Sequence, residues 1–142
     1  MPDLKLLIQR LVDAYASRTP DDFDDLLTED VVLIRDEEKA HGLAEFKAVL
    51  ARLRRAFPDI RYRIDDAIAA GDKIVLRWTA QGTHHDEYLG IPATGRAVSY
   101  TGITIYELRG PKVARVWVSA DLFSLLRRLR EGRTSAAPEV RA

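Results

Sequence analysis

Few side chains in this 142-residue chain are of types and spacings that do chemistry. The densest run is His84-His85-Asp86-Glu87, four residues of metal-ligating type. Neighbours in an extended loop point in different directions, and the third histidine, His41, is far away in sequence, so no metal site is expected. Cysteine is absent, which removes disulfides, thiolate nucleophiles and cysteine–zinc sites. No serine elbow, phosphate loop or dinucleotide fingerprint occurs. What remains is one carboxylate in a distinctive place and a few rings. Asp121 follows a β-branched run and precedes a helical one, which is the place of an N-cap. Tyr15, Trp78 and Trp117 offer flat apolar surface, and their ordinary role is core packing. His84 is of the right type to fix its own loop by hydrogen bonding.

The bulk properties narrow the partners. Basic and acidic residues balance at 22 each, for a formal charge of zero. That argues against a nucleic-acid binder and against an anionic-membrane binder. Arg52, Arg54 and Arg55, like Arg127, Arg128 and Arg130, read as solvated helix faces. No apolar run approaches the roughly 20 residues of a membrane helix, and the first ten residues lack a signal-peptide pattern. A cytoplasmic protein is expected.

The elements that must position these residues are legible from periodicity. Leu4, Leu7, Ile8, Leu11 and Tyr15 recur at helical spacing, with Asp3 as a cap. Thr19 and Pro20 suit the start of a second, short helix through Phe23, Leu26 and Leu27. Val31 to Ile34 reads as a strand. Leu43, Phe46, Leu50, Leu53 and Phe57 form one stripe of a third helix, which Pro58 stops. Beyond it the period falls to two. Ile60, Tyr62 and Ile64 alternate with arginines. Ile74, Leu76, Trp78 and Ala80 take one face of a strand, and Arg77, Thr79 and Gln81 the other. Residues 82–95 form a loop, 97–108 and 113–120 two strands joined by a turn, and 122–130 an amphipathic helix. A polar tail, 132–142, reads as disordered. Helices followed by hairpin-linked strands predict a single α+β domain, residues 1–131, with an antiparallel sheet, which if strongly curved can enclose an apolar pocket with the helices. The face bearing Arg77, Thr79 and Gln81 is left for a homodimer.

Several stretches carry a family resemblance. They are Phe57-Pro58-Asp59-Ile60, then Gly71-Asp72-Lys73-Ile74-Val75-Leu76-Arg77-Trp78, then Gly82-Thr83-His84 with Leu89-Gly90-Ile91-Pro92-Ala93-Thr94-Gly95. Gly102 to Tyr106, Trp117, Asp121 and Leu125 to Leu129 follow in order. Together they resemble the SnoaL-like polyketide cyclases, over residues 5 to 130. The resemblance implies the nuclear-transport-factor-2-like cone. It also implies a cofactor-free intramolecular aldol ring closure, or an isomerisation of a carbonyl compound. In such enzymes an aspartate at the end of the last strand is the acid/base, and the matching position is Asp121. A carboxylate whose pKa is lifted by an apolar pocket can take a proton α to a carbonyl and return one to the new alkoxide. Tyr15, Trp78, His84 and Trp117 are then the expected contacts for an apolar or polycyclic ligand. Two other readings use the same resources: binding without catalysis, and water addition of the epoxide-hydrolase kind.

The chain departs from the family at Val116, where many members carry histidine, and at Asp86, where glycine is usual. Strand parity also matters. Trp117, Ser119 and Asp121 share one face and Val116, Val118 and Ala120 the other, so Asp121 enters a pocket lined by Val116 only if the strand bends or ends first.

Overall fold

The computed structural model describes residues 3–17 and 20–131. The Thr19 cap and the polar tail lie outside these residues.

Helix α1 (Leu4–Ala16) starts where Asp3 accepts a hydrogen bond from the Leu6 N–H at 3.2 Å. Leu7, Leu11 and Ala14 are its buried stripe, at the expected spacing of four and three. A short 3₁₀ turn (Pro20–Phe23) buries Phe23 completely. Helix α2 (Leu43–Ala56) buries Phe46, Val49, Leu50, Leu53 and Ala56, and ends at Phe57 before Pro58. Near its start Glu45 reaches back to accept from the His41 N–H at 2.7 Å, which satisfies a donor at the helix entry. Arg54 of α2 donates to the carbonyls of Ala14 (2.6 Å) and Tyr15 (2.9 Å), tying α2 to the open carbonyl end of α1.

Six strands form one sheet in the order β2-β1-β6-β5-β4-β3. They are β1 (Leu27–Arg35), β2 (Glu38–His41), β3 (Arg61–Ala70), β4 (Lys73–Thr83), β5 (Ala97–Arg109) and β6 (Lys112–Ala120). Every pairing is antiparallel except β1 with β6, so the sheet is mixed. The parallel pair joins the first long strand to the last, which no hairpin connects. β1 is longer than the apolar run Val31–Ile34, and β2 has only Ala40 buried. Asp36 makes the β1–β2 turn in the left-handed region, at φ 54°, which aspartate tolerates. Register shifts interrupt β1, the β3–β4 pair at Ile64/Asp66 and the β5–β6 pair at Glu107/Leu108. Each such bulge bends its strand and adds twist.

Helix α3 (Leu122–Arg130) packs Leu125 and Leu129 inward and lies against β5. Helices α1 and α2 cover the face of the sheet that carries Leu76, Trp78, Tyr100, Thr104 and Tyr106. Gly102 is required on this face. An ideal Cβ there would sit 2.2 Å from Cζ2 of Trp78, so only glycine lets the indole lie flat across β5.

Candidate functional site

A cavity of about 70 Å³ lies between helices α1 and α2 and the covered face of the sheet. Its walls are a relay of rings. Tyr15 meets Tyr62 at 5.5 Å between centroids, Tyr62 meets Trp78 at 5.5 Å, and Trp78 meets Tyr100 at 5.8 Å. The last two contacts are edge-to-face, an arrangement that adds to the burial of the rings themselves. Tyr106 and Thr104 come from the same inward row of β5, while Leu11, Leu33, Leu50, Leu76 and Val118 supply aliphatic surface.

The polar atoms in these walls are few and placed. The Trp78 indole N–H donates to the Thr104 hydroxyl at 2.8 Å, which satisfies a buried donor. The Tyr106 hydroxyl donates to the Tyr15 hydroxyl at 3.0 Å. Tyr15 thus accepts one hydrogen bond, and its own proton is polarised for a further acceptor. Burial pushes the Tyr15 phenol up to about 12, although the Tyr106 hydrogen bond works the other way. Burial likewise holds Tyr62, Tyr100 and Tyr106 above the ordinary phenol range. At neutral pH all four are donors and acids, never bases.

Arg35 closes the cavity at one end. It is the last residue of β1, lines the cavity, and donates to the Tyr88 hydroxyl. Burial opposes its charge, but Tyr88, Tyr100 and Glu38 together outweigh that and raise its pKa. Outside it lies a polar vestibule of about 490 Å³, which Arg35 and Val49 also line. Asp36, Glu38, Arg52, Arg55 and Tyr88 face this outer space.

The structure brings two of the five residues expected at the site together in the cavity, Tyr15 and Trp78. Trp117 lies on the other face of β6, half-buried, with the Arg115 guanidinium 5.7 Å over its ring. His84 is fully buried in the 84–96 loop rather than along the cavity wall. Its Nδ1 is 3.0 Å from the Thr94 hydroxyl and accepts from the Thr94 N–H, and its ring stacks on Phe57. Asp121 caps α3, accepting from the Ser124 N–H at 3.1 Å. The Ser124 hydroxyl and N–H hold its carboxyl below the usual range. It faces an outer depression with Asp65, Arg77, Thr101 and Ser119, while Val118 and Ala120 of the same strand line the cavity. The strand ends at Ala120, and the chain does not turn the Asp121 carboxylate inward. Among the described residues no group of three or more His, Cys, Asp or Glu is placed to hold a metal ion.

The pattern of the SnoaL-like polyketide cyclases matches residues 5–129. The chain belongs to that family. Among curated protein sequences none matches this one. The SnoaL-like fold is shared with TsrD from Streptomyces laurentii at 28% identity, with a TM-score of 0.82 over 89% of this chain and 94% of that one. A proposed SnoaL-like polyketide cyclase from Jannaschia sp. CCS1 superposes with a TM-score of 0.83 at 22% identity, over 94% and 92%. Wild-type IdmH from Streptomyces antibioticus, a proposed polyketide cyclase, gives 0.76 at 25% identity, over 89% and 98%. The six-stranded sheet under three helices is therefore the α+β cone of this family, as the sequence resemblance implied.

Sequence reasoning missed Arg35, Tyr62, Tyr100, Thr104 and Tyr106 as site residues. The last three share the even-numbered face of β5, so alternation along 97–108 carried their signal. Tyr62 sat in the alternating run with Ile60 and Ile64. Arg35 falls on the same face of β1 as Val31 and Leu33, but its charge masked that alternation.

Proposed function

We propose that the cavity binds an apolar carbonyl compound of the polyketide type and promotes its intramolecular aldol ring closure. The observation that supports this most is the phenol cluster. Tyr15 accepts from Tyr106 and is kept protonated by burial, so its own proton can be donated to a ligand in the ring-lined space. Aldol closure puts negative charge first on an enolate oxygen and then on an alkoxide. A preorganised donor aimed at that oxygen lowers the barrier. Holding the chain folded adds several kcal/mol through positioning alone. Carbon between two carbonyls is acidic enough to give its α proton to solvent water, and the new alkoxide takes a proton back from the same source, so donors are as valuable here as a strong base.

The acid/base role implied for Asp121 asks more of the molecule. Its carboxylate would have to leave the Ser124 N–H and swing past the end of β6, at a cost of about 1 kcal/mol for the lost cap. A second reading, binding without turnover, is favoured by the cavity lining, which among the described residues holds no carboxylate. A homodimer through the outer sheet face and a cytoplasmic location belong to the same proposal. Among the described residues no helix is long and apolar enough to cross a membrane.

The test is turnover of a linear aromatic poly-β-ketone, followed by absorbance and mass. Tyr15→Phe is expected to lower the rate about tenfold, the worth of one charge-facing hydrogen bond. With Asp121→Asn, near-complete loss of turnover and retained binding would assign proton transfer to Asp121. Unchanged turnover with a lowered melting temperature would leave it as a cap. Binding of the ketone with no turnover in the wild type would establish the second reading.

A further inference from the structure

Arg35 is a cation with no carboxylate in contact. Its guanidinium meets the Tyr88 hydroxyl, no carboxylate lies within 4.0 Å of it among the described residues, and Glu38 acts on it only from farther off. Glu38, its partner in register across the β1–β2 hairpin, is turned to Arg52 at 2.7 Å instead. Glu87 in the vestibule accepts from the Gly90 N–H at 2.6 Å. Arg54 and Arg128, also half-buried, differ in donating to backbone carbonyls, Arg54 through Nη2 to Ala14 and Tyr15 and Arg128 to Ser99. A half-buried arginine whose guanidinium touches only a hydroxyl gains from a counter-charge that reaches it. At the mouth of the cavity, that position suits an anion from outside.

We infer that Arg35 recognises a carboxylate on the ligand, so that the natural compound is an aromatic or polyketide acid rather than a neutral ketone or ester. The inference rests on the small-molecule reading of the cavity. Its rings would lie among Tyr62, Trp78 and Tyr100, and its carboxylate at the boundary with the vestibule, on the guanidinium. The planar fork of arginine matches a carboxylate with two parallel hydrogen bonds. The vestibule itself carries charges of both signs, Asp36, Glu37, Glu38 and Glu87 beside Arg52 and Arg55, so the preference is local to Arg35 and not a long-range steering effect. Tyr88 holds the guanidinium in place and remains beside it when the anion arrives.

The experiment compares 2-naphthoate with methyl 2-naphthoate by calorimetric titration at neutral pH. The two share rings and differ in charge. Wild-type protein is expected to bind the acid about tenfold or more tighter than the ester, the range of a charge-assisted pair. Arg35→Gln should abolish that preference while leaving ester affinity within about twofold. Arg35→Lys, which keeps the charge but loses the fork, should retain part of the preference and guards against a folding defect in the first variant. Tyr88→Phe should leave the preference intact. Ester binding with no preference for the acid in the wild type, or a preference that survives in Arg35→Gln, overturns this inference alone. Binding of neither probe by the wild type overturns the cavity reading as well.

Discussion

Gly102 and Trp78 show how much one residue decides. The indole crosses β5 where a methyl group would sit 2.2 Å from its ring. Gly102→Ala therefore forces the indole or the strand to move. Its expected cost is about 1–3 kcal/mol, the usual price of overpacking, read as a lower unfolding midpoint in denaturant. An unchanged midpoint would mean that the indole has somewhere else to go. His84 makes a different prediction. It is fully buried, its Nε2 has no partner among the described residues, and burial lowers its pKa. The unfolded chain then binds a proton that the folded one resists. Stability should be fully present above the ordinary histidine value of about 6.5 and fall as pH drops below it. Thermal melts of wild type and His84→Gln across that window check this, since the glutamine variant should lose that part of the slope. An equal slope in both would place the acid sensitivity elsewhere.

At the scale of elements, the β6–α3 junction separates a cap from a catalyst. Asp121 ends the strand on the parity opposite to Val116, Val118 and Ala120, and its carboxylate serves the first turn of α3. Asp121→Ala should therefore lower stability by about 1 kcal/mol, measured by denaturant unfolding. The depressed carboxyl pKa gives this cap a direction in pH. Its contribution is present above the unfolded carboxylate value and is lost as pH falls through the lower folded one. The arginines in the last turn, Arg127, Arg128 and Arg130, lie at the negative end of the same helix dipole. Most elements were legible in the sequence because their periods are clean: the α1 and α2 stripes, Pro58 as a stop, and the alternation of β4. The inward row of β5 was equally available in its alternation, and so was the outward turn of Trp117. Two features were not. β2 is nearly all polar, because an edge strand buries little. Arg35 shares the inward parity of Val31 and Leu33 on β1, but a charged residue at the end of a strand reads as solvent-facing, so its alternation did not single it out.

The whole molecule has two faces with different work. The inner one holds the cavity. The outer one, away from the helices, exposes Arg77 and Gln81, and also Ile103 at 46% and Ile68 at 58%, while Thr79 is tied to Asp65 at 2.6 Å. A homodimer through this face predicts a dimer in sedimentation velocity that Ile103→Glu converts to a folded monomer. A wild-type monomer at every concentration would rule it out. The central claim concerns the inner face, and one binding measurement reaches it most directly. Benzoylacetone is apolar, ring-bearing and rich in enol, and it can be titrated calorimetrically into wild-type protein and Tyr15→Phe. The account predicts one site per chain in the wild type and about five- to tenfold weaker binding in the variant, the loss of a single hydrogen bond of about 1 kcal/mol. No binding by the wild type, or the same affinity in both proteins, would contradict it.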